Sequence, residues 1–106
     1  MPAADLGNLA QRIREAAVVL DNGEVLWPFE VATDAVEELA RLNRVVLGVD
    51  ARERNNSGFV TEVALGTYQP SGGRGDVESG RAAAVESIGR AEAVTGWSRP
   101  LILVTW

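Results

Sequence analysis

The residues with the clearest chemical potential lie where an apolar stretch becomes charged. The segment LGVDARE places Asp50, Arg52 and Glu53 directly after strand-like apolar residues, and Glu62 and Tyr68 follow later in the chain. Two carboxyl groups can perform general acid and base catalysis when burial separates their pKa values. The same charges can instead neutralise one another on an exposed face, or they can recognise another protein.

Three residue types that serve most catalytic sites are absent from the sequence. It contains no histidine and no cysteine, and all ten basic residues are arginine. Histidine is the commonest general base near neutral pH and a frequent metal ligand, while covalent catalysis often uses a thiolate or a lysine amine. We therefore expect no enzymatic activity, no metal and no cofactor.

Length and composition are those of one small globular domain. A chain of 106 residues can build one core but not two, and its 46% apolar and 24% charged residues are close to the globular average. No apolar run approaches the roughly 20 residues of a membrane helix, and the first residues lack a signal-peptide pattern. We expect a single domain over residues 1–106, located in the cytoplasm and not in a membrane.

The net charge of −5 bears on the kind of partner. Binding to nucleic acid needs a clustered cationic face that displaces counterions, so we expect no nucleic-acid partner. An acidic balance suits a basic protein partner, although a modest negative charge also serves solubility alone.

Apolar residues at three- and four-residue spacing predict three helices. The first covers about residues 4–20, although residues 18–26, VVLDNGEVL, also fit a short hairpin. A connector over residues 24–31 contains Trp-Pro-Phe, and the second helix follows at about residues 33–43. The third helix covers about residues 76–96, where a glycine can end it.

Two segments of alternating apolar residues predict a β-hairpin. They are residues 44–54 and 59–69, and the turn signal Asn-Asn-Ser-Gly separates them. Residues 101–106, LILVTW, are typical of a central strand covered on both sides, or of a strand paired across a homodimer interface. We expect an α+β fold in which a small mixed sheet, made of the hairpin and the C-terminal strand, packs with about three helices. The predicted buried residues are Val45, Leu47, Val49, Val63, Leu65, Leu101 and Leu103.

Strand alternation also predicts how the charged residues are arranged. It places Asp50, Arg52, Glu62 and Tyr68 on the outward face of the hairpin. With Glu53, these residues form our predicted partner-binding surface, in which Tyr68 is the anchor. The alternatives are an exposed ionic face without a partner, or a pocket for a ligand or for carboxylate catalysis.

The order of features resembles a known protein family. Trp27 precedes a helix that ends Glu-Glu-Leu-Ala-Arg-Leu at residues 37–42, and the strand Val-Val-Leu-Gly-Val-Asp follows at residues 45–50. This arrangement resembles the immunity protein 40 family of bacterial polymorphic toxin systems, most clearly over residues 27–68. The resemblance implies a non-enzymatic cytoplasmic protein that binds and neutralises a cognate toxin domain. A ligand-binding domain, a carboxylate-based enzyme and a homodimeric structural module are the alternatives.

Overall fold

The computed structural model describes residues 15–21, 24–42, 46, 48–55, 58–68 and 74–106. Within them the chain forms an α+β arrangement of five strands and three helices, which confirms the predicted fold class. In chain order, the elements are β1 (Val18–Val19), β2 (Val25–Trp27), α1 (Phe29–Arg41), β3 (Gly48–Asn55), β4 (Gly58–Thr67), α2 (Arg74–Gly89), α3 (Ala91–Thr95) and β5 (Leu101–Thr105).

The strands form one sheet in the order β1-β2-β5-β3-β4. The four strand pairings among the described residues are all antiparallel. The sheet is therefore antiparallel, whereas we predicted a mixed sheet. β5 lies between β2 and β3, which confirms its predicted central position. Because both edges of β5 are paired within the chain, this strand cannot also pair with a second chain.

The segment before the first long helix is a hairpin and not a helix end. Residues 15 and 16 are helical, but β1 pairs with β2 through Val18 and Leu26. The hairpin interpretation of residues 18–26 is therefore confirmed, and the prediction that the first helix continues to residue 20 is wrong. β-Branched valines favour this extended geometry. Residues 4–14 of the predicted helix lie outside the described residues.

The predicted connector at residues 24–31 contains β2 and the first turn of α1. Trp27 is extended, as expected for a residue before proline, and Pro28 caps the helix with a φ of −55°. The backbone N–H of Ala32 donates to the Pro28 carbonyl at 3.1 Å. Proline is compatible with this position because the first helical residues need no intrahelical N–H donor. The helix consequently begins earlier than the start at about residue 33 that we predicted.

α1 and α2 cover one face of the sheet, which we call the helix side. Alanines at several contact positions allow the helices to approach the strands closely. The core on this side is made of Ala32, Ala35, Val36, Val49, Ala51, Ala84, Ile88, Ile102 and Val104, together with Trp27, Val46 and Ala91.

The burial predictions are confirmed for two residues and only in part for the other three that the structure describes. Val49 and Leu103 are buried, whereas Val63, Leu65 and Leu101 are only partly buried. Val63 and Leu65 belong to β4, which has a described neighbour on one side only, and this leaves them more accessible. Val45 and Leu47 lie outside the described residues.

The predicted third helix is divided in two. α2 and α3 are separated at Arg90, and α3 ends at Gly96, whose φ of 76° is the left-handed conformation that favours glycine. The glycine stop is therefore confirmed. No helix of the described part is long and apolar enough to cross a bilayer.

Candidate functional site

Three of the five predicted site residues lie together on the face of the sheet opposite the helices. Arg52 pairs directly with Glu62 across β3 and β4, and Asp50 lies two residues earlier on the same side of β3. Glu24, which immediately precedes β2, also reaches Arg52. We call these four residues, Glu24, Asp50, Arg52 and Glu62, the acidic face.

Arg52 is the centre of the acidic face. Its Nε donates to Glu62 Oε2 at 2.8 Å, and its Nη2 lies 2.8 Å from the same oxygen. Nη2 also donates to Glu24 Oε1 at 3.4 Å. The Arg52 side chain is only 15% exposed, whereas that of Glu62 is 49% exposed. One guanidinium thus connects β4 to the residue before β2 and leaves part of Glu62 available to solvent.

Asp50 has a different environment from the two glutamates. It is half-buried, and its carboxyl group makes no hydrogen bond or ion pair with any residue in the described ranges. Burial is the main cause that raises its pKa above the ordinary value of 3.8; the charges of Glu62 and Glu24 add to this, and Arg52 opposes it. Its cross-strand neighbour is Leu103, which is buried. Asp50 is therefore a carboxyl group beside a buried apolar residue, and in the described part of the chain it forms no ion pair of its own.

Tyr68 lies on the helix side, which corrects the prediction that it shares a face with Asp50 and Glu62. Val49 pairs with Gly66 while Asp50 pairs with Ala64, so Leu65 is an extra residue in β4. This β-bulge reverses the alternation beyond it. The Tyr68 hydroxyl donates to the Ala83 carbonyl of α2 at 3.2 Å and also contacts the buried Ser87 hydroxyl. Tyr68 is thus part of the packing between β4 and α2.

Glu53 is the second predicted site residue that lies apart from the acidic face. It pairs with Thr61 and follows the alternation of Val49 and Ala51, so it is on the helix side of β3. Its side chain is exposed because this end of the strand extends beyond the core. The predicted set of five residues is therefore divided between two faces, three on one and two on the other.

Glu24 belongs to the acidic face but was missed by sequence reasoning. It lies 28 residues from Arg52 in the chain, and no local spacing relates the two. Only the strand order, in which β2 and β3 flank β5, brings this part of the chain near β3.

A second charged region lies between α1 and α2. It is a groove of about 570 Å³ lined by Asp34, Glu37, Glu38, Ala40, Arg41, Glu78 and Arg81. Arg81 lies 2.6 Å from Glu78 and 3.6 Å from Glu37, and Arg41 pairs with the buried Glu38. The pair between Arg81 and Glu37 connects the two helices, and the other two pairs are each within one helix, so these charges have a structural role. Across the described residues, no group of three or more acidic side chains is arranged to hold a metal ion.

Comparison with known proteins does not assign this chain to a family. Protein-family models, curated proteins and solved structures were each compared with the chain, and none matched. The resemblance to the immunity protein 40 family stays a prediction, so the function is argued from the acidic face and from that resemblance.

Proposed function

We propose that this domain is an immunity protein that binds and neutralises a cognate toxin domain in the cytoplasm, by protein contact and without catalysis. The observation that carries the proposal is the acidic face, where Glu24 and Glu62 pair with the guanidinium of Arg52 and Asp50 lies on the same side of the sheet. Its features fit recognition of a basic protein surface.

The charge balance of the acidic face supports a basic partner. The acidic face carries three carboxyl groups, and the net charge of the whole chain is −5. A concentrated negative potential accelerates encounter with a positively charged protein and disfavours acidic partners. Basic surfaces are common in toxins that act on nucleic acid, because such toxins must bind phosphates. The acidic face would therefore provide both rapid association and selectivity.

Apolar residues beside the acidic face support a protein partner over a small ion. Val18 is exposed and shares the face of Leu26, with which it pairs, while Leu101 is opposite Arg52 and partly buried. Protein interfaces combine apolar contact area with charged groups that set orientation. The same sheet face offers both.

The carboxylate-based enzyme is less well supported. It would use Asp50, Glu62 and Tyr68 in one pocket, but Tyr68 lies on the opposite face and contacts Ser87. Glu62 is half-exposed and forms an ion pair with Arg52. A binding protein, unlike this enzyme, does not need Tyr68 or Glu62 to transfer a proton.

Co-expression with candidate toxin domains encoded by neighbouring genes tests the proposal. The variant Asp50→Asn/Glu62→Gln keeps the side-chain shapes and removes two charges, while Glu86→Gln removes one charge from an exposed position on α2. We expect the parent and Glu86→Gln to protect cells and the double variant to protect poorly. Full protection by the double variant, folded by circular dichroism, would contradict the role of the acidic face. Failure of the parent to bind the toxin would contradict the function itself.

A further inference from the structure

β4 is an edge strand that borders the acidic face. β3 pairs with it along one side from Gly58 to Thr67, and no strand in the described ranges pairs with its other side. Thr61, Glu62 and Ala64 are exposed. An edge strand presents unpaired backbone N–H and C=O groups, which can accept an extended segment of another chain.

Two β-bulges restrict the part of β4 that such a segment can use. The pairing with β3 shifts once between Val49 and Asp50 and again between Glu53 and Arg54. Between these shifts, the four residues 61–64 pair regularly with residues 50–53. Because bulges twist and interrupt a strand edge, a long flat partner strand is disfavoured. The regular stretch fits a short segment.

The charge of this stretch decides between a second copy and a different partner. Glu62 is the only charged residue in the sequence of β4, and it projects on the acidic face. An antiparallel pairing of two copies centred on Glu62 would place two carboxylates directly opposite each other, which is destabilising. An arginine or lysine in a foreign segment would instead face Glu62 favourably. Charge complementarity therefore selects a basic partner segment.

We propose that the toxin domain adds a short extended segment to the edge of β4 at Thr61–Ala64, with a basic side chain beside Glu62. This inference rests on the proposed function, since it names how the toxin docks at the acidic face. Backbone hydrogen bonds would supply a part of the affinity that depends little on the toxin sequence, and the basic residue would set the register.

Amide hydrogen exchange of the full domain, alone and with the purified toxin domain, tests the proposal directly. In the free domain, alternate amides of residues 61–64 point away from β3 and should exchange rapidly. With toxin bound, we expect their exchange to slow by at least about tenfold, because they become hydrogen-bonded. Amides of the doubly paired β5 serve as the internal reference and should change little.

A pair of proline variants separates backbone pairing from side-chain contact. Val63 and Ala64 are adjacent, so the N–H of one points toward β3 and the N–H of the other points outward. Both Val63→Pro and Ala64→Pro should be made. Proline at the inward position removes a hydrogen bond to β3 and destabilises the sheet, so the more stable variant is the one that lacks only the outward N–H. That variant should bind toxin at least about tenfold more weakly, because the added segment loses a backbone partner.

Charge variants provide a second test if both proline variants unfold. Glu62→Arg should weaken toxin binding by about 100-fold, because it places two basic groups together. Glu53→Arg is the matched control on the helix side of the same hairpin and should change binding less than about twofold.

Three results would overturn the inference. One is toxin binding without slower exchange at residues 61–64. Another is slow exchange of these amides in the free domain, with exchange that becomes slower still as the protein concentration is raised. That result would assign the edge to a second copy. In both cases the parent still binds toxin, so the proposed function survives. If the parent binds no toxin, the proposed function fails and this inference fails with it.

Discussion

The two faces of the sheet differ although one strand supplies both. On the helix side, β3 contributes Val49 and Ala51, which are fully buried against the helices. On the opposite face it contributes Asp50 and Arg52, which are charged and only partly buried. Alternation along a single strand thus combines a stabilising surface with a surface suited to recognition. Substitutions on the first should change stability, and substitutions on the second should change binding.

The face with the charges is not simply a solvated surface. Asp50 is in the same row as Leu103 and Leu26 on the neighbouring strands, and both leucines are buried. Apolar neighbours withhold water from the Asp50 carboxyl group, which is why burial raises its pKa. The acidic face therefore holds one carboxylate at a cost in folding free energy.

The largest effect is expected from a core substitution on the helix side. Ile102→Ala removes a fully buried side chain from the central strand and should lower the free energy of unfolding by about 3 kcal/mol. Val94→Ala, at an exposed position of α3, should change it by less than about 0.5 kcal/mol. Urea denaturation measures both. Equal costs for the two variants would show that the helix side is not the main source of stability.

The contact between Gly66 and Tyr68 should be the next most sensitive. A Cβ atom at Gly66 would lie 2.7 Å from Tyr68 Cζ, which is closer than van der Waals contact allows. Gly66→Ala should therefore destabilise the domain by about 2 kcal/mol. In a Tyr68→Ala background this cost should largely disappear, as a double-mutant cycle would show. An unchanged cost in that background would contradict the packing of the Tyr68 ring over the glycine.

The Tyr68 hydroxyl should affect stability and not binding. Tyr68→Phe leaves the buried Ser87 hydroxyl without this partner and should cost about 1 kcal/mol in unfolding free energy. Affinity for the toxin domain should remain at the parent value, because Tyr68 is on the helix side. If Tyr68→Phe weakens toxin binding while its fold is intact, the initial prediction of a binding anchor would be restored.

The smallest expected effect is a pH-dependent gain in stability from Asp50→Asn. Because the folded state raises the pKa of Asp50, folded protein holds the proton more tightly than unfolded chain. Stability therefore falls as the pH rises from the ordinary value of 3.8 through the raised pKa, and the penalty persists at neutral pH. Asp50→Asn should unfold at a higher temperature than the parent near pH 7. This difference in unfolding temperature should vanish when the pH is below 3.8, the ordinary pKa of the group. A variant that is less stable than the parent at neutral pH would contradict this.

Local patterns in the sequence were sufficient to predict the hairpin and the central strand. The turn between β3 and β4 is confirmed, since Asn55 pairs with Gly58 and Gly58 has a φ of 116°, which few other residues adopt readily. Of the two interpretations of the continuous apolar run of β5, the central strand covered on both sides is confirmed. In these segments, turn chemistry and periodicity alone determine the local structure.

The composition of the acidic face could be predicted only in part. A period of two places Asp50 and Arg52 on one face correctly, and Glu62 joins them because the shift in pairing between Glu53 and Arg54 brings it opposite Arg52. It fails for Tyr68, because the extra residue at Leu65 reverses the alternation, and a bulge depends on how two strands accommodate each other. Glu24 joins the site through strand order, which local periodicity does not contain.

The association rate of the domain with its cognate toxin domain, measured at low and high salt, tests the central claim most directly. The parent should associate rapidly at low salt and more slowly as salt increases, because mobile ions screen the acidic face. Asp50→Asn/Glu62→Gln should associate about tenfold more slowly than the parent at low salt, and the two rates should converge at high salt. Equal rates at low salt, with both proteins folded, would contradict the claim that the acidic face recognises the toxin.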